Sequence, residues 1–341
     1  MHFPSPLTFV LTGLTPVHGL CTPCKRGIWQ DAAPIPIAPR QEHTTVALSP
    51  STLAILGGIV PSDSFYSTTD MMQLYHIKNN SWTSAASIPL PLNHANAAVV
   101  DGKLYLLGGL AVAPDGAWRA VPDCWVYTPN NNRWSAISPM PNGTARGSAA
   151  VGVHEKTIYL AGGMTTLDIP GGGYQDSVDT LISFDTHSGK WKTHLRQNLP
   201  EGRDHAGSAV IGSTHYVLGG RYFGQQGKRD TVFSLDLRNP DATWQTSPAR
   251  MPTPRGGVST GVFGSEIYIF GGEGNTEAGS NGVFHETEVY NVASRTWAKM
   301  APMRLPTHGT SAVTVGHRVY IPGGGIHQSA NPVNNTEVLC I

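Results

Sequence analysis

A pair of adjacent glycines follows a short apolar segment at six places in the chain. The segments read LAILGG, KLYLLGG, TIYLAGG, THYVLGG, EIYIFGG and RVYIPGG. Their aliphatic and aromatic residues predict β-strands. Glycine lacks a Cβ, so a strand can bend there and neighbouring backbone can come close. Six copies of one local pattern indicate a repeat architecture.

Tryptophan marks the same period. Six tryptophans are separated by 53, 52, 57, 53 and 53 residues: Trp29, Trp82, Trp134, Trp191, Trp244 and Trp297. Each repeat contains a hairpin pattern, as in HANAAVVDGKLYLLGG, where strand a covers residues 96–100, a turn follows at Asp101-Gly102, and strand b runs into the glycines. Strands c and d follow, and the tryptophan opens strand d. Four antiparallel strands make one blade, so six repeats predict an all-β, six-bladed propeller.

The two chain ends predict how the ring closes. The last repeat supplies strands a to c and stops before any tryptophan, whereas Trp29 has no such strands ahead of it. The N-terminal segment therefore supplies strand d of the blade whose strands a to c are C-terminal. Pairing the ends in this way protects the ring from opening at a free edge.

The same alignment predicts a disulfide. Matching Leu339 with Tyr290, and Trp29 with Trp297, places Cys340 and Cys24 at the tip of one split hairpin. We expect Cys340 to pair with Cys24 or with its neighbour Cys21, and we assign no partner to Cys124. The chain-entropy model gives a bridge of this span a stabilisation of up to about 5 kcal/mol. The Cys21-x-x-Cys24 spacing has no second pair that would complete a zinc site.

A period near 50 residues with paired glycines and a spaced aromatic resembles the kelch repeat. The resemblance covers the chain from about Trp29 to Ile341. It implies a free-standing kelch propeller, similar to the secreted galactose-oxidase-like and sialic acid epimerase-like types. Kelch domains mostly bind partners, so the resemblance implies a binding module first and an enzyme second.

Composition and the N-terminal segment bear on partners and location. Only 13% of residues are charged, and 23 basic residues balance 23 acidic ones, so nucleic acid and anionic membranes are not expected partners. Residues 1–20 resemble a secretory signal peptide, which leaves 21–341 as a single propeller. Asn79, Asn142 and Asn334 lie in glycosylation sequons. We expect a secreted, monomeric glycoprotein. If the leader is not a signal peptide, we expect a cytoplasmic protein instead.

Residues preceding strand a gather on the face that also carries the b-to-c loops. His43, His94 and His205 each lie 14 residues before the first glycine of their repeat, so we expect equivalent positions. Arg146 falls at the same place once a two-residue insertion at HEK is allowed for. Four more basic residues lie close by in register: Arg40, Arg203, Arg255 and His308.

Two residues depart from the repeat directly after a glycine pair. Arg221 and Glu273 stand where the other repeats have Ile, Leu, Met or Gly, and we expect both side chains at the mouth of the central channel. With the basic residues and nearby aromatic loops, such a mouth suits an anionic or hydroxyl-rich small ligand, or an acidic protein loop. The alternative is structural, because an arginine or histidine before strand a can donate hydrogen bonds to loop carbonyls and fix blade spacing.

Three functional classes follow from these patterns and the resemblance. The first is a ligand-binding module. The second is a cofactor-independent isomerase, epimerase or cyclase, a class that includes enzymes of specialised-metabolite pathways. In such an enzyme Glu273 and His205 would be the acid and base, and Arg221 and Arg255 would hold an anionic substrate. The third, a copper radical enzyme, needs a further domain and is the least favoured. Histidines on alternate blades bind metal only if their side chains converge on the axis, so we expect neither metal nor cofactor.

Overall fold

The computed structural model describes residues 24–63, 65–171 and 173–341. Six antiparallel sheets surround a central axis, and strand a of each blade contacts strand a of the next around a complete circle. The six-bladed all-β propeller is therefore confirmed. The predicted leader, residues 1–20, and Cys21 lie outside the described residues.

Each blade runs from strand a at the axis to strand d at the rim. Strands a, b, c and d of blade 1 are Thr44–Ser49, Thr52–Leu56, Met72–His76 and Ser81–Ser84. In blade 2 they are Ala97–Val100, Lys103–Val112, Trp118–Thr128 and Arg133–Ile137. In blade 3 they are Ala150–His154, Thr157–Ala161, Leu181–Asp185 and Lys190–Thr193. In blade 4 strands a to d are Gly207–Ile211, Thr214–Leu218, Val232–Asp236 and Gln245–Thr246. In blade 5 they are Ser259–Phe263, Glu266–Phe270, Thr287–Asn291 and Thr296–Lys299. In blade 6 they are Val313–Val315, Arg318–Pro322, Thr336–Cys340 and Trp29–Ala32.

Shorter elements lie in the connections. Ile59–Ser62 pairs with Phe65–Thr68, and Thr166–Asp168 pairs with Tyr174–Gln175 and extends the sheet of blade 2. Two 3₁₀ turns, Ile77–Asn79 and Pro129–Asn131, join strands c and d of blades 1 and 2. No helix among the described residues is long and apolar enough to cross a membrane.

The chain ends close the ring as predicted. Trp29 pairs with Leu339 in blade 6, in the register that Trp297 and Tyr290 adopt in blade 5. A disulfide joins Cys24 to Cys340 at the tip of this split hairpin and links positions 316 residues apart. Cys124 is a buried free thiol, and burial raises its pKa to about 12.

The tryptophans join each blade to the one before it, at the outer side of the core. Each indole Nε1 donates to a carbonyl just after strand d of the preceding blade; for example, Trp82 donates to Ala33 at 2.8 Å and Trp134 to Ala86 at 3.0 Å. Four of the rings also lie 5.0–5.2 Å from an aromatic ring of strand c. Apolar clusters fill the spaces between adjacent blades, so the core is repeated around the ring rather than central.

The glycine pairs bring neighbouring blades into contact near the axis. Gly162 has φ +66°, and a Cβ there would collide with the carbonyl oxygen of Arg203 in the next blade. The amide of Gly163 donates to that same oxygen at 2.7 Å. Both predicted functions of the pair, a bend and a close backbone approach, are present.

Candidate functional site on the propeller axis

In every blade, the segment that precedes strand a contains one residue with a left-handed backbone conformation, and this residue faces the axis. The φ values of these residues lie between +50° and +67°. We call these six the axial ring: Glu42, His94, Ser148, His205, Gly257 and Gly309. The left-handed conformation costs a non-glycine residue about 1–2 kcal/mol, so four ring positions hold a side chain at an energetic cost.

Hydrogen bonds between blades hold the axial ring. Five backbone amides donate to the carbonyl of the ring residue in an adjacent blade, at 2.6–3.1 Å. Between blades 3 and 4, the His205 amide donates instead to the side-chain Oγ of Ser148, at 3.1 Å. This closed circle fixes the backbone from which the functional side chains project.

Three ring side chains converge on one point. The Nε2 atoms of His94 and His205 lie 3.0 Å apart, although the residues come from alternate blades. The Oε2 atom of Glu42 lies 3.0 Å from His94 Nε2. The ligand atoms of the three residues all lie within 4.8 Å of one another. The three side chains therefore converge on the axis, which is the condition for a shared metal site. The sequence alone did not show this convergence.

Both imidazoles are oriented through their other ring nitrogen. His205 Nδ1 lies 2.6 Å from Asp204 Oδ1, and His94 Nδ1 lies 2.7 Å from Asn93 Oδ1. Asn93 uses its Nδ2 to donate to Thr68, so its Oδ1 is an acceptor. Asp204 is also held by Gln175 and Ser177. In the neutral rings Nδ1 therefore carries the proton and Nε2 presents a lone pair.

Burial and neighbouring charges set the protonation of this group. Burial lowers the pKa of His205, and the positive charge of Arg221 lowers it further. Burial alone would raise the pKa of Glu42, but the nearby His94, His205 and His308 hold it well below its usual range. His205 is thus set up as a neutral base and Glu42 as a carboxylate.

A cavity of about 230 Å³ on the axis, the axial cavity, begins at the ring and follows the first residues of the six strands a. His94, His205 and Glu42 form one end, and each keeps 7–8% exposure. Small side chains leave the space open, and hydroxyl groups line it. The hydroxyl-bearing residues are Thr44, Thr45, Ser148, Ser208, Thr260, Thr310 and Ser311.

The predicted equivalence of His43 with the other two histidines was wrong. Strand a of blade 1 contains a β-bulge between Ala47 and Ser49, which adds one residue to the count. Glu42 therefore takes the ring position, and His43 follows it. His43 is buried with its Nε2 3.3 Å from Thr310 Oγ1, and burial, then the charge of Arg40, lowers its pKa to about 3.

The arginines before strand a belong to the framework. Arg146 is not at the ring position as predicted, since blade 3 has no insertion and Ser148 lies there. All four arginines are at most 2% exposed and donate to the carbonyl of the first glycine of their own blade: Arg40, Arg146, Arg203 and Arg255. This is the structural alternative that the sequence left open. None of the four lines the axial cavity.

Arg221 and Glu273 do not stand open at a mouth. They form a buried ion pair, with Arg221 Nη1 2.9 Å from Glu273 Oε1. The loop 326–331 of blade 6 covers them, because the Ser329 amide donates to Glu273 Oε2 at 2.9 Å and its carbonyl accepts from Gln41 at 3.2 Å. Burial would raise the pKa of Glu273, but His308 and Arg221 lower it on balance.

His308 lies in the same covered network, one residue before the ring. Its Nε2 donates to the His327 carbonyl at 2.8 Å, and its Nδ1 lies 3.5 Å from Glu273 and 3.9 Å from Glu42. Four aromatic side chains of the b-to-c loops are exposed: Tyr66, Tyr174, Tyr222 and Phe223. The predicted sequons Asn79, Asn142 and Asn334 are all exposed, and their glycosylation stays a prediction.

Sequence reasoning missed Glu42, Asn93 and Asp204. The bulge in blade 1 hid Glu42 from the count. Asp204 could have been found from the Asp204-His205 dipeptide, because a carboxylate beside a histidine can orient the ring. The ring position itself could have been recognised because blades 5 and 6 have glycine there.

Comparison with known proteins supports the repeat. A family model described as KLHDC2/KLHL20/DRC7 Kelch-repeats domain matches residues 166–325, and one described as Kelch motif matches residues 91–141. The chain is 40% identical over 289 residues to the Kelch-like protein terF of Aspergillus terreus, covering 84% of this chain and 61% of that protein. It is 26% identical over 290 residues to Beta-scruin of Limulus polyphemus, covering 81% and 30%.

A solved structure titled "Structure of YjhT" resembles the whole propeller. The TM-score is 0.73 at 18% identity, with 91% of this chain and 97% of that chain covered. At this identity the likeness supports the fold alone. The chain spans 61% of terF and 30% of Beta-scruin.

Proposed function

Because the chain is a kelch-repeat β-propeller, we propose that it binds a small hydroxylated ligand in the axial cavity. The observation that carries this is the cavity itself, with hydroxyl groups along its wall and two imidazoles and a carboxylate at one end. About 230 Å³ holds roughly seven or eight waters at ~30 Å³ each, so the ligand is the size of a monosaccharide rather than of a drug.

The cavity favours a hydroxylated ligand over an anionic one. The arginines expected to hold an anion are buried against backbone carbonyls or paired with carboxylates. Glu42 adds a negative charge at the inner end of the cavity. An acidic protein loop loses the same cationic partners, so we rank it below a small neutral ligand.

A screen of polyols, sugars and phenols by thermal shift tests this proposal. A ligand at 100 times its dissociation constant adds about 2.7 kcal/mol to the unfolding free energy, which raises the melting temperature measurably. Ala206→Leu fills the cavity wall without changing charge and should abolish the shift, while Asn142→Asp on the surface should leave it intact. If the shift survives the filled cavity, the ligand binds elsewhere.

A cofactor-independent isomerase or cyclase is the second candidate, and the Asp204–His205 pair favours it. The carboxylate holds Nδ1–H, so in the protein without a bound metal ion Nε2 faces the cavity as a general base. Glu273, the other predicted acid or base, is not among the residues lining the cavity. Mass spectrometry of each stabilising compound in D₂O tests for turnover. His205→Gln should remove deuterium incorporation and Glu273→Gln should retain it.

Secretion is part of the proposal. The disulfide between Cys24 and Cys340 and the three exposed sequons support an oxidising, secretory route. Expression of the natural chain in its host, followed by analysis of the medium and treatment with an endoglycosidase, tests this. Retention of an unprocessed, reduced chain in the cytosol would contradict it.

A further inference from the structure

The convergence of Glu42, His94 and His205 calls for a positive charge between them. His94 and His205 each donate through Nδ1 to a fixed oxygen acceptor, so both present a lone pair at Nε2. These two nitrogens lie 3.0 Å apart, and Glu42 Oε2 lies 3.0 Å from His94 Nε2. Lone pairs at such distances repel unless a proton or a metal ion lies between them.

The charge balance of the surrounding network points the same way. Three carboxylates are buried in this network, those of Glu42, Asp204 and Glu273, and the guanidinium of Arg221 contacts two of them, Asp204 at 3.7 Å and Glu273 at 2.9 Å. Among the described residues, the ion-pair contacts of the Glu42 carboxylate are with two imidazoles, His94 at 3.0 Å and His308 at 3.9 Å. Buried charges are normally paired or coordinate a metal.

The donor set and its geometry fit a transition metal. Two histidines and one carboxylate are the protein ligands of many zinc sites with an open fourth position, and the same trio holds non-haem iron(II). A tetrahedral ion with bonds of about 2.0–2.1 Å separates its ligand atoms by about 3.3 Å. Two of the three observed separations, both 3.0 Å, need an adjustment of only a few tenths of an ångström, and the third pair of ligand atoms, those of Glu42 and His205, lies within 4.8 Å.

The surrounding residues match what a metal site requires. Asp204 and Asn93 orient the two imidazoles from behind, as partners of metal-bound histidines do. Gln41 Nε2 lies 3.1 Å from Glu42 Oε1, which leaves Oε2 for the ion. The axial cavity provides an entry path and space for a fourth ligand.

We propose that Glu42, His94 and His205 form a binding site for a divalent transition-metal ion on the propeller axis, with zinc as the ion. This inference does not depend on the proposed ligand, because the three residues can bind an ion in an empty cavity. A bound ion would supply the missing positive charge, and its fourth position would face the cavity, where a hydroxyl oxygen of a ligand could coordinate it.

Metal content and Co²⁺ spectroscopy on the full chain test the site directly. The protein is stripped with a chelator, reloaded with Zn²⁺ or, under anaerobic conditions, Fe²⁺, and measured by mass spectrometry of the elements. We expect about one zinc per chain and, with Co²⁺, the visible absorption typical of a tetrahedral site with nitrogen and oxygen ligands. Tighter binding of Fe²⁺ than of Zn²⁺ would overturn the choice of ion.

Matched variants separate coordination from folding. Glu42→Gln and His205→Asn keep polar side chains of similar size and should reduce the stoichiometry to near zero. Asp204→Asn should weaken binding by about 10- to 100-fold, as for other partners of metal-bound histidines. His43→Gln alters a buried imidazole beside the ring and should retain the zinc. Circular dichroism of each variant confirms that the fold is intact.

Two results would overturn the proposal. One is a wild-type chain that binds no more zinc than Glu42→Gln does, which would mean that a shared proton alone bridges the lone pairs. The other is retention of zinc by both ligand variants, which would place it elsewhere. Neither result bears on the thermal shift given by a ligand in the axial cavity, so the two proposals can fail separately.

Discussion

Two positions, two residues apart in the segment before strand a, are used in different ways. The first holds Arg40, Arg146, Arg203 or Arg255 in four blades, and each guanidinium binds its own blade. The second is the axial ring, where one backbone conformation carries glutamate, histidine, serine or glycine. The first position repeats because each blade needs the same support. The second varies because only some blades supply side chains to the axis.

The comparison predicts that the largest stability losses come from the framework. Arg255 Nη1 lies 2.6 Å from Glu288 Oε2, and both side chains are 0% exposed. Arg255→Met should lower the unfolding free energy by about 3–5 kcal/mol, because Glu288 stays buried without its partner. Urea unfolding measures the loss. The double variant Arg255→Met/Glu288→Leu should lose less, since it leaves no buried charge. A loss below about 1 kcal/mol in the single variant would mean that the pair is not needed.

A second departure from the repeat lies in the core and predicts a pH effect. His215 occupies the strand b position that holds Leu53, Leu104, Ile158, Ile267 or Val319 in the other blades, and all six residues are 0% exposed. Gly152 of the neighbouring blade leaves room for the ring. Burial lowers the pKa of His215 to about 4, against about 6.5 in an unfolded chain.

Between pH 6.5 and pH 4 the imidazole of His215 takes up a proton in the unfolded chain but not in the folded chain, because its pKa is lower in the folded chain. His215 therefore lowers the unfolding free energy as the pH falls through this window, by up to about 3 kcal/mol at pH 4 and below. At pH 7 the ring is neutral in both states and the penalty is absent. His215→Ile, which restores the aliphatic residue, should remove this part of the pH dependence. The difference between the two denaturation series isolates it, and parallel curves would contradict it.

The fold could be predicted from the sequence because it is repeated. Six glycine pairs and six tryptophans predicted the blade number, the register of Trp29 on Leu339 and a disulfide from Cys340 to Cys24 or Cys21, and the structure forms it with Cys24. The site depends on features that occur once. A single bulged residue moved Glu42 into the ring, and the cover that buries Glu273 comes from the b-to-c loop of blade 6, whose sequence is not repeated in the other blades. Whether a charged side chain is open or paired depends on such contacts, which spacing does not encode.

Two ring glycines provide a sharper test of the axis. Gly257 and Gly309 have φ +67° and +60°, so alanine should cost about 1–2 kcal/mol at either position. A Cβ on Gly257 meets its nearest side chain at 3.4 Å, whereas one on Gly309 collides with the carboxylate of Glu42. Gly309→Ala should therefore displace Glu42 and weaken zinc binding as well, while Gly257→Ala should affect stability alone. Equal zinc binding by the two variants would show that the position of Glu42 is unimportant.

The smallest expected effect concerns which side chains the left-handed backbone of the axial ring accepts. Glu42 has φ +51°, which glycine adopts without strain and alanine does not. Both Glu42→Gly and Glu42→Ala remove the carboxylate and the charge, so their difference reports the backbone alone. In the metal-free protein Glu42→Gly should be more stable than Glu42→Ala by about 1 kcal/mol in urea unfolding. Equal stability would mean that the ring tolerates any residue. A higher stability of the glycine variant would show that Glu42 is held at a conformational cost, the pattern expected where a side chain is kept for function.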